Sequence, residues 1–280
     1  MANVKIVTDS TVDLSDKVIQ ELMIEVVPLS ITINGETFLD RVDITPQEFL
    51  EKMKHSPELP KSSQPAVGHF VEIYNKLASD GSEIISIHMT GGMSGTVASA
   101  ENAAQIADAK VTVIDSRFIS RALAFQVIEA ATMAKQGKSV DAIVKRIDEI
   151  RQHTKLFVTV DTLDNLVKGG RIGRGKAMIG SLLNIKPIAS LDDGVYTPVT
   201  KVRSHTKIVK FLSEQFAEDV RGKTIKGVGL VHANAHELAT NIKEAIRNLT
   251  GYTNIEIADT TPVISTHTGP GAIGFMYYVE

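Results

Sequence analysis

Four short runs of small and hydroxylated residues in this 280-residue chain have the composition of ligand-binding loops: Thr8-Asp9-Ser10-Thr11, Ser62-Ser63-Gln64-Pro65, Gly91-Gly92-Met93-Ser94-Gly95-Thr96 and His267-Thr268-Gly269-Pro270-Gly271. Each follows an expected strand or opens an expected helix. The third has the plainest chemistry. A strand runs into two glycines, and Ser94 and Gly95 then precede a helix, so a hydroxyl and free backbone N–H groups stand at a helix N-terminus, which attracts an anion. The glycines let the backbone approach that anion closely. The same residues also read as an ordinary cap after a tight turn. Ser62 to Pro65 carries a similar pair of readings: caps for a helix opening at Ala66, or hydroxyls facing the carboxyl edge of a sheet. Asp9-Ser10 and Asp115-Ser116 both end strands and point to one crevice, where the carboxylates are expected to brace loops through backbone N–H groups.

Three further patterns imitate catalytic motifs. Gly170 to Ala177 matches G-x-x-x-x-G-K, but Ala177 stands where a magnesium-binding hydroxyl is needed, and the run follows a helix rather than a strand. His232-Ala233-Asn234-Ala235-His236-Glu237 resembles a zinc helix in the wrong order, with His232 ending a strand and His236 beginning a helix, so no metal is expected there. Ser94 and His267 would suit a serine hydrolase acting on an acyl ester, although no G-x-S-x-G elbow is present. Lys168-Gly169-Gly170-Arg171 reads as a glycine C-cap with basic residues complementing a helix dipole, or as a guanidinium fork reaching an acidic ligand.

The elements that must hold these residues follow from periodicity. Val4 to Thr8 is a short buried strand, and an amphipathic helix follows near Ser15 to Met23. Glu25 to Ile31 is extended, and Asn34-Gly35 signals a type I′ hairpin turn. Thr45-Pro46 opens a helix, and His55 to Pro65, with three prolines, reads as a loop. Strands at Glu83–Met89 and Val111–Ile114 then alternate with helices near Ala66–Ser79 and Thr96–Ala107, with a long helix that follows Asp115-Ser116 and runs towards Lys135, and with one at Val140–Gln152. This alternation predicts a parallel sheet covered on both faces, with ligands beyond the carboxyl ends of its strands. After residue 153 the texture changes. Leu156–Val160 is a strand and Thr162–Lys168 a short helix. Ile185–Ser190 and Val195–Val202 flank a hairpin turn at Asp192-Asp193-Gly194. Helices near Lys207–Glu218 and Glu237–Leu249 alternate with strands at Gly227–Val231 and Ile255–Ala258. The chain closes on Val263 to Thr266, a glycine-proline turn and an apolar strand through Phe275. The expectation is an α/β protein of two domains, a parallel-sheet domain over 1–153 and a mixed-sheet domain over 154–280.

Composition narrows the function. Lys and Arg total 30 against 33 Asp and Glu, a formal charge of −3, so bulk attraction to nucleic acid is excluded. With no Trp and 5% aromatics, stacking platforms for single strands are not expected. Cysteine is absent, which removes disulfides, thiolate metal sites and a cysteine nucleophile. No apolar run reaches the ~18 residues of a membrane span and no N-terminal signal-like stretch appears, so a cytoplasmic protein without stable membrane insertion is expected.

Taken in order, Thr8-Asp9-Ser10 with Asp13-Leu14, Ser63-Gln64-Pro65, Ser94-Gly95-Thr96, Asp115-Ser116, Gly169-Gly170-Arg171-Ile172 and His267-Thr268-Gly269-Pro270-Gly271 resemble the motif series of the DegV family, over Val4 to Gly274. Two departures stand out: Ser62 occupies a place where that family often has Thr, and Thr90 to Met93 is less polar than usual. The resemblance implies two α/β domains with an acyl chain in a tunnel, and a long-chain fatty acid as ligand with no other cofactor. It implies that Ser62 and Ser94 donate to the fatty-acid carboxylate, with the Gly95 N–H beside them. His267 and Arg171 would then supply positive character, and Ser63, Thr96 and Thr268 would support the loops or face a partner. It also implies a carrier that is not catalytic alone and that hands its ligand to a separate ATP-dependent fatty acid kinase, giving a bound acyl phosphate for lipid synthesis. The residues by themselves leave open the acyl-ester hydrolase and a nucleotide- or phosphate-binding enzyme built on the Ser94 helix.

Overall fold

The computed structural model describes residues 3–178 and 185–280. In the first half of the chain the order is β1 (Val4–Asp9), α1 (Asp16–Leu22), β2 (Glu25–Val27), β3 (Ser30–Ile33), β4 (Glu36–Leu39), α2 (Pro46–His55), β5 (Lys61–Ser63), α3 (Val67–Ala78), β6 (Glu83–His88), α4 (Thr96–Ile106), β7 (Val111–Asp115), α5 (Ser120–Lys135) and α6 (Val140–His153). Local chemistry sets several ends. Thr45 and Glu48 close a capping box on α2 with Pro46 in its first turn, and Ser15 and Ser139 cap α1 and α6. Asn34 and Gly35 both have positive φ, as a type I′ turn requires. Strands β2-β1-β6-β7 form a parallel sheet, and β4-β3-β5 a small antiparallel one.

Strand β5 corrects the expected loop over His55 to Pro65. Lys61–Ser63 pairs with β3, Ile31 opposite Ser62 and Ser30 opposite Ser63. Four polar residues between Pro60 and Pro65 carry no alternation, and an edge strand tolerates nearby proline because only one side of it is paired. The capping expectation for Ser62 to Pro65 is also corrected: α3 begins at Val67, and its N-cap, Ala66, has no side-chain cap.

The second half contains β8 (Thr154–Thr159), α7 (Asp164–Lys168), β9 (Lys186–Asp192), β10 (Val195–Val202), α8 (His205–Asp219), β11 (Ile225–Ala233), α9 (His236–Thr250), β12 (Glu256–Asp259), α10 (Pro262–Thr268) and β13 (Ala272–Val279). The sheet order is β10-β9-β8-β13-β11-β12, antiparallel except for the β11–β12 pair. The expected division between a parallel and a mixed sheet is therefore found. Val263 to Thr266 are β-branched at three of four positions yet lie inside α10, because Thr261 caps the helix and Pro262 occupies its first turn.

Helix α5 packs against β1 and β6 of the first sheet and β8, β11 and β13 of the second. An apolar core between the sheets joins Phe118, just before α5, and Ala122, in its first turn, to Leu156, Leu191, Tyr196 and Met276. Among the described residues, no helix is long and apolar enough to cross a membrane.

Candidate functional site

A cavity of about 610 Å³ lies where the two sheets face each other. One side is made by residues past the carboxyl ends of the first sheet's strands, including Leu29, Met89, Met93 and Ile119. The other side is a face of the second sheet. Leu156 and Val158 lie two apart on β8, and Leu191 and Tyr196 are directly opposed across β9 and β10. Helix α10 adds Val263 and Ile264. A second space of about 360 Å³ shares Ile119, Leu156, Val158, Ile264 and Thr268 with the first and extends it towards β11 and β13. Among the described residues the first space is apolar except for Ser62, Ser94, Arg171 and His267 together, the Tyr196 hydroxyl, and Thr268, which both spaces share. A mostly apolar hollow with a cluster of polar groups suits an amphipathic ligand.

Each polar residue is held by its own element. Ser62 sits on β5, and its hydroxyl is 2.7 Å from Nε2 of His267 in α10. Gly169, at the end of α7, makes room for that imidazole: a Cβ there would overlap Nδ1 of His267 and stand 2.9 Å from the Asn165 carbonyl oxygen. Among the described residues, the buried Nδ1 has no hydrogen-bond partner, nor has the Tyr196 hydroxyl. Arg171 donates from Nε to the Met93 carbonyl (2.9 Å) and from Nη1 to the Gly169 carbonyl (2.6 Å), tying the Ser94 loop to the turn after α7. Thr90 fastens the same loop to the β9–β10 hairpin by donating to the Gly194 carbonyl at 3.0 Å. The Ser94 and Thr96 hydroxyls are 2.9 Å apart, and Ser94 accepts weakly from the Thr96 N–H at 3.3 Å.

Five of the eight sequence-expected site residues thus meet in the cavity wall, and three do not. Ser63 points outward on β5 and is exposed. Gly95 lies against the Gln64 amide, which a Cβ there would overlap, and that amide donates to Ser99 at 3.0 Å. Thr96 is buried behind Ser94. Thr268 lines the cavity but donates its hydroxyl to the Ile264 carbonyl (3.1 Å) within its own helix.

The expected positive character is also corrected. Burial, with Arg171 alongside, pushes the His267 pKa down to about 4, so the imidazole is neutral near pH 7. Among the described lining residues, Arg171 alone carries a charge. Ser94 and His267 are not hydrogen-bonded; Ser94 engages Thr96 and His267 engages Ser62. Ser62 and His267 have the spacing of a nucleophile and base, but Nδ1 of His267 meets no orienting carboxylate and its basicity is low. The glycine-lysine run fails as a phosphate loop, since Gly173–Met178 is a 3₁₀ turn after α7. His232 and His236 face each other, and among the described residues no group of three or more His, Asp or Glu is arranged to hold a metal.

Two buried carboxylates that sequence reading did not place at the site set the position of α10. Asp13 accepts from the Thr261 N–H (3.0 Å), the Thr260 hydroxyl (2.8 Å) and the Ser120 hydroxyl. Asp40 accepts from the Val263 N–H at 3.2 Å and the Ser10 hydroxyl at 2.6 Å. Ser10 Oγ in turn accepts from the N–H of Leu29, a cavity residue. Burial raises both acids, Asp40 to about 7. Asp9 and Asp115 brace loops as expected, Asp9 on the Met89 N–H and Asp115 on the Gly91 and Arg117 N–H groups.

The chain is similar throughout its length to known proteins. It is 45% identical over 281 residues to a DegV domain-containing protein of Listeria monocytogenes, covering 100% of each. It is 44% identical over 271 residues to one of Staphylococcus aureus, covering 97% of each. Among solved structures it is similar to DegV of Bacillus subtilis, described as a fatty acid binding protein (32% identity, TM-score 0.92, 100% of both chains). It is also similar to a DegV family protein of Thermus thermophilus described by its fatty acid binding (30% identity, TM-score 0.92, 99% of this chain and 100% of that one). The model of the DegV family, described as uncharacterised proteins, matches residues 3–280. In sequence, in fold and in the order of its loop motifs, the chain belongs to the DegV family.

Proposed function

We propose that the protein binds a long-chain fatty acid in this cavity and presents its carboxylate to a separate ATP-dependent kinase. The observation that carries the proposal is the cavity itself, mostly apolar, with Ser62, Ser94, Arg171 and His267 together in its wall. Fatty-acid binding by the Bacillus and Thermus neighbours supports it. Burying an acyl chain at ~0.8 kcal/mol per methylene gives on the order of 10 kcal/mol before association costs, so few polar contacts are needed. Ser62 and Ser94 would donate to the carboxylate. A neutral His267 would hold the Ser62 hydroxyl and add no second charge. Hydroxyl donors leave a carboxylate oxygen available as a nucleophile, whereas a bidentate arginine would grip both. In the transfer, that oxygen attacks the γ-phosphorus of ATP, the bond to the bridging oxygen breaks, and acyl phosphate and ADP result. Arg171 would steady the charge that develops.

Purified protein with labelled ATP and a purified fatty acid kinase tests this. Label is expected on bound lipid only when both proteins are present. Transfer by this chain alone, or the absence of any extractable fatty acid together with no thermal stabilisation by added fatty acid, overturns the proposal.

A further inference from the structure

The inner part of the cavity ends close to a second, very different space. A polar groove of about 1570 Å³ runs beside α8 and α9 and is lined by Asp161, His205, Asn234, His236 and Glu237 among others. Among the described residues, the acyl cavity and this groove have no lining residue in common. The partition between them is thin. Gly271 lines the groove and Ala272, the next residue, lines the cavity; His232 on β11 lines the cavity and His236, four residues on at the start of α9, lines the groove. The two imidazoles meet across the partition, Nε2 of His232 lying 3.3 Å from Nδ1 of His236 with the rings edge to face. Nδ1 of His232 faces the Asp259 carboxylate at 3.2 Å, and that carboxylate also accepts from the Gln47 side chain. His232 is buried while His236 is exposed.

We propose that His232, latched by His236, is the stop against which the methyl end of the acyl chain rests, and that it sets the length of chain the protein accepts. The inference builds on the fatty-acid reading above. With the carboxylate at Ser62 and Ser94, the chain runs past Leu156 and Val158 into the inner space, whose polar lining residues, among those described, are Ser120, His232, Thr260 and Thr268. The three hydroxyls are spent on Asp13 and the Ile264 carbonyl, and His232 is the one whose ring abuts a groove residue. A terminal methyl gains nothing by pressing against a hydrogen-bonded imidazole. Among the described residues the ring's hydrogen-bond partner is the His236 imidazole, while Nδ1 only faces Asp259 without bonding to it, so removing either imidazole opens a route into the groove.

The test loads full-length wild type, His232→Ala and His236→Ala with an equimolar ladder of straight-chain fatty acids of increasing length. Retained acids are then read by mass spectrometry. Wild type is expected to show a sharp upper cut-off. Both variants are expected to move it to longer acids, gaining up to about fourfold in relative retention per added methylene, the Boltzmann equivalent of burying one CH₂. His236→Ala alters an exposed side chain and keeps the test open if His232→Ala does not fold. General loosening lowers retention of every length alike and does not move the cut-off. Retained acids with one length profile in all folded proteins overturn the stop and leave fatty-acid binding standing. No retained acid in any of them overturns both.

Discussion

Ser94 has two roles that one substitution separates. Its hydroxyl faces the cavity and also braces the start of α4 through Thr96. If it donates to a bound carboxylate, Ser94→Ala loses a hydrogen bond to a charged group, ~1.5–3 kcal/mol, or about one to two orders of magnitude in fatty-acid affinity. Stability should fall by no more than the ~1 kcal/mol of a lost cap. Calorimetry and competition with a labelled fatty acid on the same preparation are expected to show this split; a stability loss with unchanged affinity would reduce Ser94 to a brace. Ser94 and Ser62 are legible in the sequence because hydroxyls within a few residues of glycine or proline, near a strand or helix end, are a local pattern. The neutrality of His267 is not legible. It depends on burial and on Arg171, 96 positions away, so the sequence suggests a cation where the fold keeps an uncharged ring.

Helix α10 depends on partners outside itself. Seven residues are too few for a stable helix alone, and its first turn hangs from Asp13 and Asp40, far away in sequence. Asp13→Ala strands the Thr261 N–H and the Thr260 and Ser120 hydroxyls, which is expected to cost roughly 3 kcal/mol or more. Asp13→Asn keeps an acceptor and is expected to cost much less. Although Asp13 does not line the cavity, fatty-acid retention should follow the same order, because α10 carries His267. Thermal melting and a retention assay across both variants check this; normal retention in a destabilised Asp13→Ala protein would detach α10 from the site. The helices with strong periodicity and caps, such as α2 and α6, are plain in the sequence. Strand β5 and helix α10 are not, since each is short and owes its form to tertiary partners: an edge pairing for one, two buried carboxylates for the other.

At the scale of the molecule, the buried groups that flank the site oppose each other in their response to pH. His267 has a folded pKa of about 4, below its ordinary value near 6.5. Between these values the unfolded chain binds the proton and the folded one does not, so His267 favours folding above about pH 6.5, an advantage lost as pH falls towards 4. Asp40 behaves the other way. Its folded pKa is about 7, against an ordinary value of 3.8, so its contribution is complete below about pH 4 and is lost as pH rises through 7. Asp13, raised as well, adds to the sign of Asp40. The net wild-type dependence between about pH 4 and 6.5 is therefore flatter than either group alone would give. Urea unfolding of delipidated protein at several pH values is expected to separate them. Relative to wild type, Asp40→Asn should gain stability with rising pH between 4 and 7, and His267→Gln should lose it between 4 and 6.5, each with a slope approaching ~1.4 kcal/mol per pH unit. Parallel curves for wild type and both variants would mean that neither group titrates differently on folding. The charge total of −3 gives no hint of this balance, because it counts every Asp as ionised and every His as neutral alike. Only the fold distinguishes an Asp that resists losing its proton from a His that resists gaining one, and it sets both beside α10, where the proposed carboxylate would lie.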